Sequence, residues 1–157
     1  MKEVFYNYIN NETFNDVLNY DLNHEGEEIQ ILSKINMTEN TSSSLILNLD
    51  HSANKTKSFV KIRAVLNDSA LLKIFGDIHI KNNARDCDAY FEVKVLLLGN
   101  KSHAIVLPKL RIDNRFVKAK HAVVIKKISI KDLYFFSSRG ITNSLAESFI
   151  IQGFLNS

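Results

Sequence analysis

Apolar residues fall at every second position through most of this chain. The runs EEIQIL (27–32), SLILNL (44–49), SFVKIRAVL (58–66), ALLKIFGDIHI (70–80), AYFEVKVLLL (89–98), HAIVL (103–107), KLRI (109–112) and AVVIKKISI (122–130) share this period. Alternate side chains of a strand project to opposite faces, so each run predicts a β-strand. Polar segments such as NMTENTSSS and DHSANKTK separate them, and no useful amphipathic helix appears before about residue 131. With five glycines, one proline and no Asn-Gly or Asp-Gly pair, tight two-residue hairpins have little support. Strands joined by neither hairpins nor crossover helices can stack if the chain winds as a coil, which predicts a mainly β protein built as a parallel β-helix. A β-sandwich is the competing arrangement, since no strict repeat motif is present. A coil predicts one narrow interior to which Ile78, Ile80, Val93, Val95, Leu110 and Ile112 contribute.

The pattern changes near residue 129. Leu133 and Phe136, then Leu145, Phe149 and Ile150, lie on helical spacings, and Gly140 stands where a first helix would stop. Two short helices are expected, the second capped by Thr142 or Asn143, with Glu147 in its first turns. The chain thus divides into a β region, 1–128, and a helical segment, 129–157, read on composition as a lid for an open end of the β structure. Tyr134, Phe135 and Phe136 put three aromatics in one helical turn, more than a two-helix cap buries on one face, so part of the cluster is expected to meet a partner. Arg139 and Gly140 are expected to fix the turn between the helices, the glycine by a left-handed conformation and the guanidinium by bonding helix-end carbonyls.

Composition narrows the chemistry. The 157 residues are 45% hydrophobic and 24% charged, which fits one globular domain with a real core. No apolar run is long enough to span a bilayer, and the opening MKEVFYNYINNETFNDV lacks the basic start and apolar stretch of a signal peptide; a cytoplasmic protein without membrane contact is expected. A net charge of +3 does not favour nucleic acid as a partner, although residues 101–131 are locally basic. The single cysteine, Cys87, permits no intrachain disulfide and no Cys-only metal site, and its neighbours Asp86 and Asp88 would suppress thiol reactivity, favouring an inert role. The five histidines, at 24, 51, 79, 103 and 121, match no metal-binding spacing, and the motifs of nucleotide hydrolysis, dinucleotide binding and serine hydrolases are absent. No enzyme activity is expected. Lys118 and Lys120 beside His121 would favour its neutral imidazole, leaving a ring nitrogen free for a proton or a metal.

The stretch LPKLRIDNRFVKAKHAVVIKKISIKDLYFFSSRGITNSLAESFIIQGF carries Pro108, Leu110 and Ile112, then Val117 and His121, then Asp132, Leu133, Tyr134, Phe135, Ser138, Arg139, Gly140 and Ile141, then Ala146, Gly153 and Phe154. In this order it resembles the C-terminal signature of the SufB/SufD scaffold family of the SUF iron-sulfur assembly system. FGDIHIKNNA (75–84), VLLLG (95–99) and, more weakly, NLDH (48–51) and RAVLNDSA (63–70) extend the resemblance, which covers residues 45–154.

The resemblance implies a right-handed parallel β-helix followed by a small C-terminal helical domain, and a scaffold subunit for iron-sulfur cluster assembly. It implies docking of an ABC-type, SufC-like ATPase on the helical domain, here through Tyr134, Phe135, Phe136, Arg139 and Gly140. It implies pairing with a second SufB/SufD-type subunit, or with another copy as a homodimer, through the strands around His121. There the cluster would be a transient cargo rather than a tightly bound cofactor. Ile112, Ala119 and Ala122 stand where SufB or SufD members carry a cysteine, a cysteine and a carboxylate, so only His121 remains as a candidate cluster or metal ligand, and the chain looks more like SufD than SufB. The alternative is a degenerate structural or binding module that kept this fold and lost the cluster chemistry. The chain is shorter than usual members, lacking their N-terminal helical region and several coils, which reads as a fragment or a minimal form.

Overall fold

The computed structural model describes residues 1–9 and 13–157. Nine strands run in chain order: β1 (Lys2–Tyr8), β2 (Asn15–Leu22), β3 (Glu28–Met37), β4 (Ser42–His51), β5 (Lys57–Leu66), β6 (Leu71–Ile80), β7 (Cys87–Leu97), β8 (His103–Ile112) and β9 (Val117–Lys127). Helices α1 (Ile130–Ser137) and α2 (Asn143–Leu155) follow. Odd strands form one sheet, β1-β3-β5-β7-β9, and even strands a second, β2-β4-β6-β8; every pairing is parallel. The chain alternates between the two sheets and climbs one strand per coil, making a parallel β-solenoid of about four turns.

Coil length is the organising dimension. Bonded pairs one coil apart, such as Asn19 with Asn48, Glu28 with Lys57 and Ser52 with Lys81, are 29 residues apart. The same spacing governs the corners: Gly26 (φ 73°) and Lys55 (φ 59°) occupy one corner in successive coils, and Glu39 (φ 62°) and Asp68 (φ 52°) occupy the other. A left-handed residue turns the chain at the cost of local strain, which bonds to the next coil offset; Lys55 N–H, for example, donates to the Arg85 carbonyl at 2.7 Å.

Three of the strand expectations change. Strands β1 and β2 lie in the opening segment, where no strand is expected, because amphipathic tyrosines interrupt their inward aliphatics Val4, Leu18 and Leu22. Tyr6 and Tyr20 join hydroxyls, and Tyr8 donates to Asp16 at 2.7 Å while stacking on Phe14. The runs 103–107 and 109–112 are one strand through Pro108, which is tolerated because β8 ends its sheet and its backbone N–H side needs no partner on one edge. Strand β9 starts five residues before the predicted run.

The interior is a stack of in-register columns. Ile78, Ile80, Val93 and Val95 are fully buried as expected; Leu110 is half-buried; Ile112, in register with Ile80, is 46% exposed because no further coil covers it. Phe91 fills the space opposite Gly76, where a Cβ would lie 2.5 Å from the ring. Cys87 is buried and bonded to Thr56 (3.2 Å), in keeping with an inert role. At the same corner the fully buried His51 places Nδ1 2.7 Å from the Thr56 hydroxyl and Nε2 2.9 Å from that of Ser58. Thr56 already donates to the Ala53 carbonyl, so Nδ1–H donates to Thr56 and Nε2 accepts from Ser58.

The helices lie against the outer face of the odd-strand sheet, not over an end of the solenoid. Val65 and Leu96 are buried on that outer face, and Lys34 donates to Asn156 at 2.6 Å and Arg63 to Ser157 at 3.2 Å. Ser129 caps α1 and Thr142 caps α2; Glu147 lies beyond the first turn of α2. Gly140 adopts φ 75°, and Arg139 Nη1 donates to the Phe135 carbonyl at 3.0 Å with its guanidinium 3.6 Å from that residue's ring.

Two stability measurements follow from the core. Burial holds the His51 imidazole down to about 4, whereas the unfolded chain takes up that proton near 6.5. Unfolded protein therefore binds more protons in this window, and stability falls as the pH drops from about 6.5 toward 4, by up to about 3 kcal/mol. Urea midpoints across that range should show the loss, and His51→Asn should flatten the slope. Gly76→Ala drives a methyl into the Phe91 ring and should lower the urea-derived stability by about 1–3 kcal/mol; an unchanged midpoint would contradict the packing described.

Candidate functional site

The two ends of the solenoid are built differently. At the β1–β2 end, tyrosine rings lie on the core beside Val4 and Leu18; Tyr6 and Tyr20 join hydroxyls, and Tyr8 donates to Asp16. At the β8–β9 end, the inward positions are Val106, Leu110 and Ile112 on β8, and Val117, Ala119, His121, Val123 and Ile125 on β9. Ile112 and Ile125 are 46% and 43% exposed, against 0% for Ile80 and Val95 one coil below. Strands β8 and β9 each have one hydrogen-bonded neighbour among the described residues, as β1 and β2 do at the other end, so here an exposed aliphatic layer lies beside two strand edges.

His121 sits in register with the buried Phe91, on the side of β9 that faces inward in the coils below, and is exposed only because nothing stacks above it. Pro108 lies above Gly76 as His121 lies above Phe91, so the two stand on opposite walls of the open end. Lys118 and Lys120 do not share this environment. In register with Asp88 and Tyr90, they belong to the outer face of the sheet, and the expected influence of these lysines on the imidazole is not supported by a common face. Among the described residues no three His, Cys, Asp or Glu side chains converge as a metal-ligand set.

The helical pair offers a second exposed surface. Tyr134 is 74% and Phe135 52% exposed, while Phe136 turns toward Phe149 with ring centroids 6.3 Å apart. Ile130, Leu145 and Phe149 extend the apolar area. Arg139 and Gly140 shape the turn that follows α1, with the Arg139 guanidinium on the Phe135 ring. None of the helices is long and apolar enough to cross a membrane.

Sequence reasoning missed the buried His51–Thr56–Ser58 network and the ion pair of Arg63 with Glu92, both of which join residues of different strands. Burial works against the Glu92 carboxylate, yet the Arg63 guanidinium and the Tyr90 hydroxyl hold it below the usual range. The only available signal was Arg63 at an outward position of an otherwise apolar run.

Residues 4–154 match the family model of the SufBD core domain of SUF system FeS cluster assembly. The chain is 30% identical over 125 residues, 80% of its length, to the iron-sulfur cluster assembly protein SufD of Bacillus subtilis, of which this covers 28%. It is 26% identical over 105 residues to an iron-sulfur cluster assembly SufBD family protein of Staphylococcus saprophyticus (67% of this chain, 23% of that one), and 28% identical over 104 residues to one of Galdieria sulphuraria (66% and 47%). The chain thus spans less than half the length of each of these relatives. A family match over residues 4–154, nearly the whole solenoid and both helices, places this chain in the SufB/SufD family of the SUF iron-sulfur cluster assembly system.

Proposed function

We propose that this chain is a scaffold subunit, not a turnover enzyme, for iron-sulfur cluster assembly in the cytoplasm, and that it works as a pair of solenoids with an ABC-type ATPase on the helical segment. The observation that carries this reading is the open β8–β9 end. Its two strand edges and exposed inward layer are the features that a second solenoid, packed end to end, would satisfy. Pairing by a two-fold axis would continue both sheets across the contact and turn Leu110, Ile112, Val123 and Ile125 into shared core. It would also bring together two copies of His121, or His121 and a ligand of a different SufB/SufD subunit, which supplies from two chains what one lacks. The cluster is cargo at that contact, held transiently, and the imidazole nitrogen is a donor to iron intermediates.

For the ATPase, support comes from Tyr134 and Phe135, aromatic area left on the surface although a guanidinium and a left-handed glycine hold the adjoining turn in a defined shape. The helices lie on the outer wall, with Phe154 beside Lys126 of β9, while the inward layer of β8 and β9 faces the open end of the coil.

In sedimentation at tens of micromolar the chain should run as a dimer, and Ile125→Asp should convert it to a monomer with unchanged circular dichroism; a wild-type monomer contradicts self-pairing. His121→Ala should retain the dimer yet fail to support maturation of iron-sulfur enzymes in cells. Full maturation by that variant would favour a module that kept the fold without cluster chemistry. Tyr134→Ala and Phe135→Ala should each weaken ATPase capture by about tenfold or more while the β region keeps its urea midpoint; an ATPase that binds equally well to both variants would place docking elsewhere.

A further inference from the structure

The two sheets differ in what lies on their outer faces. On the odd-strand sheet the outward Val65 and Leu96 are buried where the helices pack. On the even-strand sheet Val17, Ile46, Phe75 and Leu107 occupy outward positions in register on all four strands. They form an apolar row that runs along the solenoid axis. Ile46 and Phe75 are half-buried, but Val17 and Leu107 are 55% and 56% exposed.

Charge around this row is divided between its two halves. At outward positions of β2 and β4 the charged residues are Asp21 and Asp50. At those of β6 and β8 they are Lys73, Lys109, Arg111 and one acid, Asp77. Asp77 accepts from Arg111 at 2.9 Å and lies 3.8 Å from Lys109, so one carboxylate serves two cations. With histidine neutral, two negative charges on one half face two net positive charges on the other, and Lys81 and Asp113, just beyond these strands, cancel. A face that is apolar along one row and oppositely charged on its two halves is complementary to itself.

We propose that two copies of this chain associate through the outer face of the even-strand sheet, about a two-fold axis that runs parallel to the strands between β4 and β6. That axis keeps every row at its own level while exchanging β2 with β8 and β4 with β6. Val17 then faces Leu107 of the second copy, Ile46 faces Phe75, and Asp21 faces Arg111, each contact made twice, with the sheets about 10 Å apart. Rotation about the solenoid axis instead would reverse the rows and set Arg111 against His103 and Lys109 against Ile105. Four strands about 4.8 Å apart and about ten residues long give a face of roughly 600 Å². A standard interface takes about 800 Å² from each partner, so this contact is a weak one, with Kd on the order of 0.1–1 mM. It uses the face of the even-strand sheet rather than its edges, and does not rest on the end-to-end pairing proposed above.

Sedimentation of the full chain carrying Ile125→Asp, which disables the end contact, tests this face alone. Between about 20 µM and about 1 mM this protein should pass from monomer toward dimer and go no further, since a two-fold contact closes on itself. In that background Leu107→Asp should weaken association by about tenfold or more, and Lys118→Gln, on the other sheet, should leave it unchanged. Asp21→Arg and Arg111→Asp should each weaken it by about tenfold, because each sets like charges face to face. An equimolar mixture of those two variants should recover the dimer, since both facing pairs in a mixed dimer are again opposite in charge. Circular dichroism of each variant checks folding. A monomer at 1 mM, growth past the dimer, indifference to Leu107→Asp, or a mixture no stronger than its components overturns the proposal. End-to-end pairing is read separately, from the wild-type chain at tens of micromolar, so failure of either leaves the other standing.

Discussion

Each coil of this solenoid satisfies its backbone by lying in register on the coil before it. In a meander a strand finds its partner across a short turn; here the partner of Glu28 is Lys57 and that of Lys57 is Asp88, so every ladder joins residues about one coil apart. That constraint fixes the rest of the molecule. It turns single positions into columns running along the axis, and a residue is then judged by what stands above and below it. Phe91 can fill the interior because Gly76 leaves it room across the coil. A neutral histidine can be buried at a corner because the hydroxyls of Thr56 and Ser58 are delivered there by the start of the next strand.

The same constraint makes the ends unlike the middle. A terminal coil has a ladder on one side only, so its edge and its inward side chains must be covered by other means. At the β1–β2 end tyrosines cover part of the side-chain layer, Tyr8 over Ile35 and Tyr20 over Leu49, with each hydroxyl on a neighbour. At the β8–β9 end aliphatic residues continue to the last strand, together with one imidazole. The two ends thus differ in which side chains lie on the last layer, not in their backbone edges. The outer faces follow the register too. Arg63 meets Glu92 and Phe59 meets Tyr90 because β5 and β7 are neighbours, and the helices return the chain terminus to the same wall.

Much of this was legible in the sequence. Period-two alternation marked β3 to β7 and the absence of hairpin turns pointed to a coil, since both depend only on local residue choice. The turn at Arg139 and Gly140 was legible for the same reason: a helix end needs a left-handed residue and a donor for its carbonyls. The motif around His121 was legible as a resemblance, and period two was enough to put Lys118 and Lys120 on the face opposite it, although adjacency in the chain suggested otherwise.

What stayed hidden has a common cause. The first two strands escaped notice because tyrosine at an inward position looks polar until the ring below it is known, and Pro108 looked like a break until β8 proved to be an edge. The wall on which the helices rest could not be read either: an apolar helix face states that it packs, not on what. The sequence by itself determined the alternation, the coil and the two helices, all properties of neighbours in the chain. Only the tertiary structure decided which side chains lie on the last layer at each end, and which share a column or a pocket. Those relations join residues one coil or more apart, and the corners, whose lengths vary, set which of them meet.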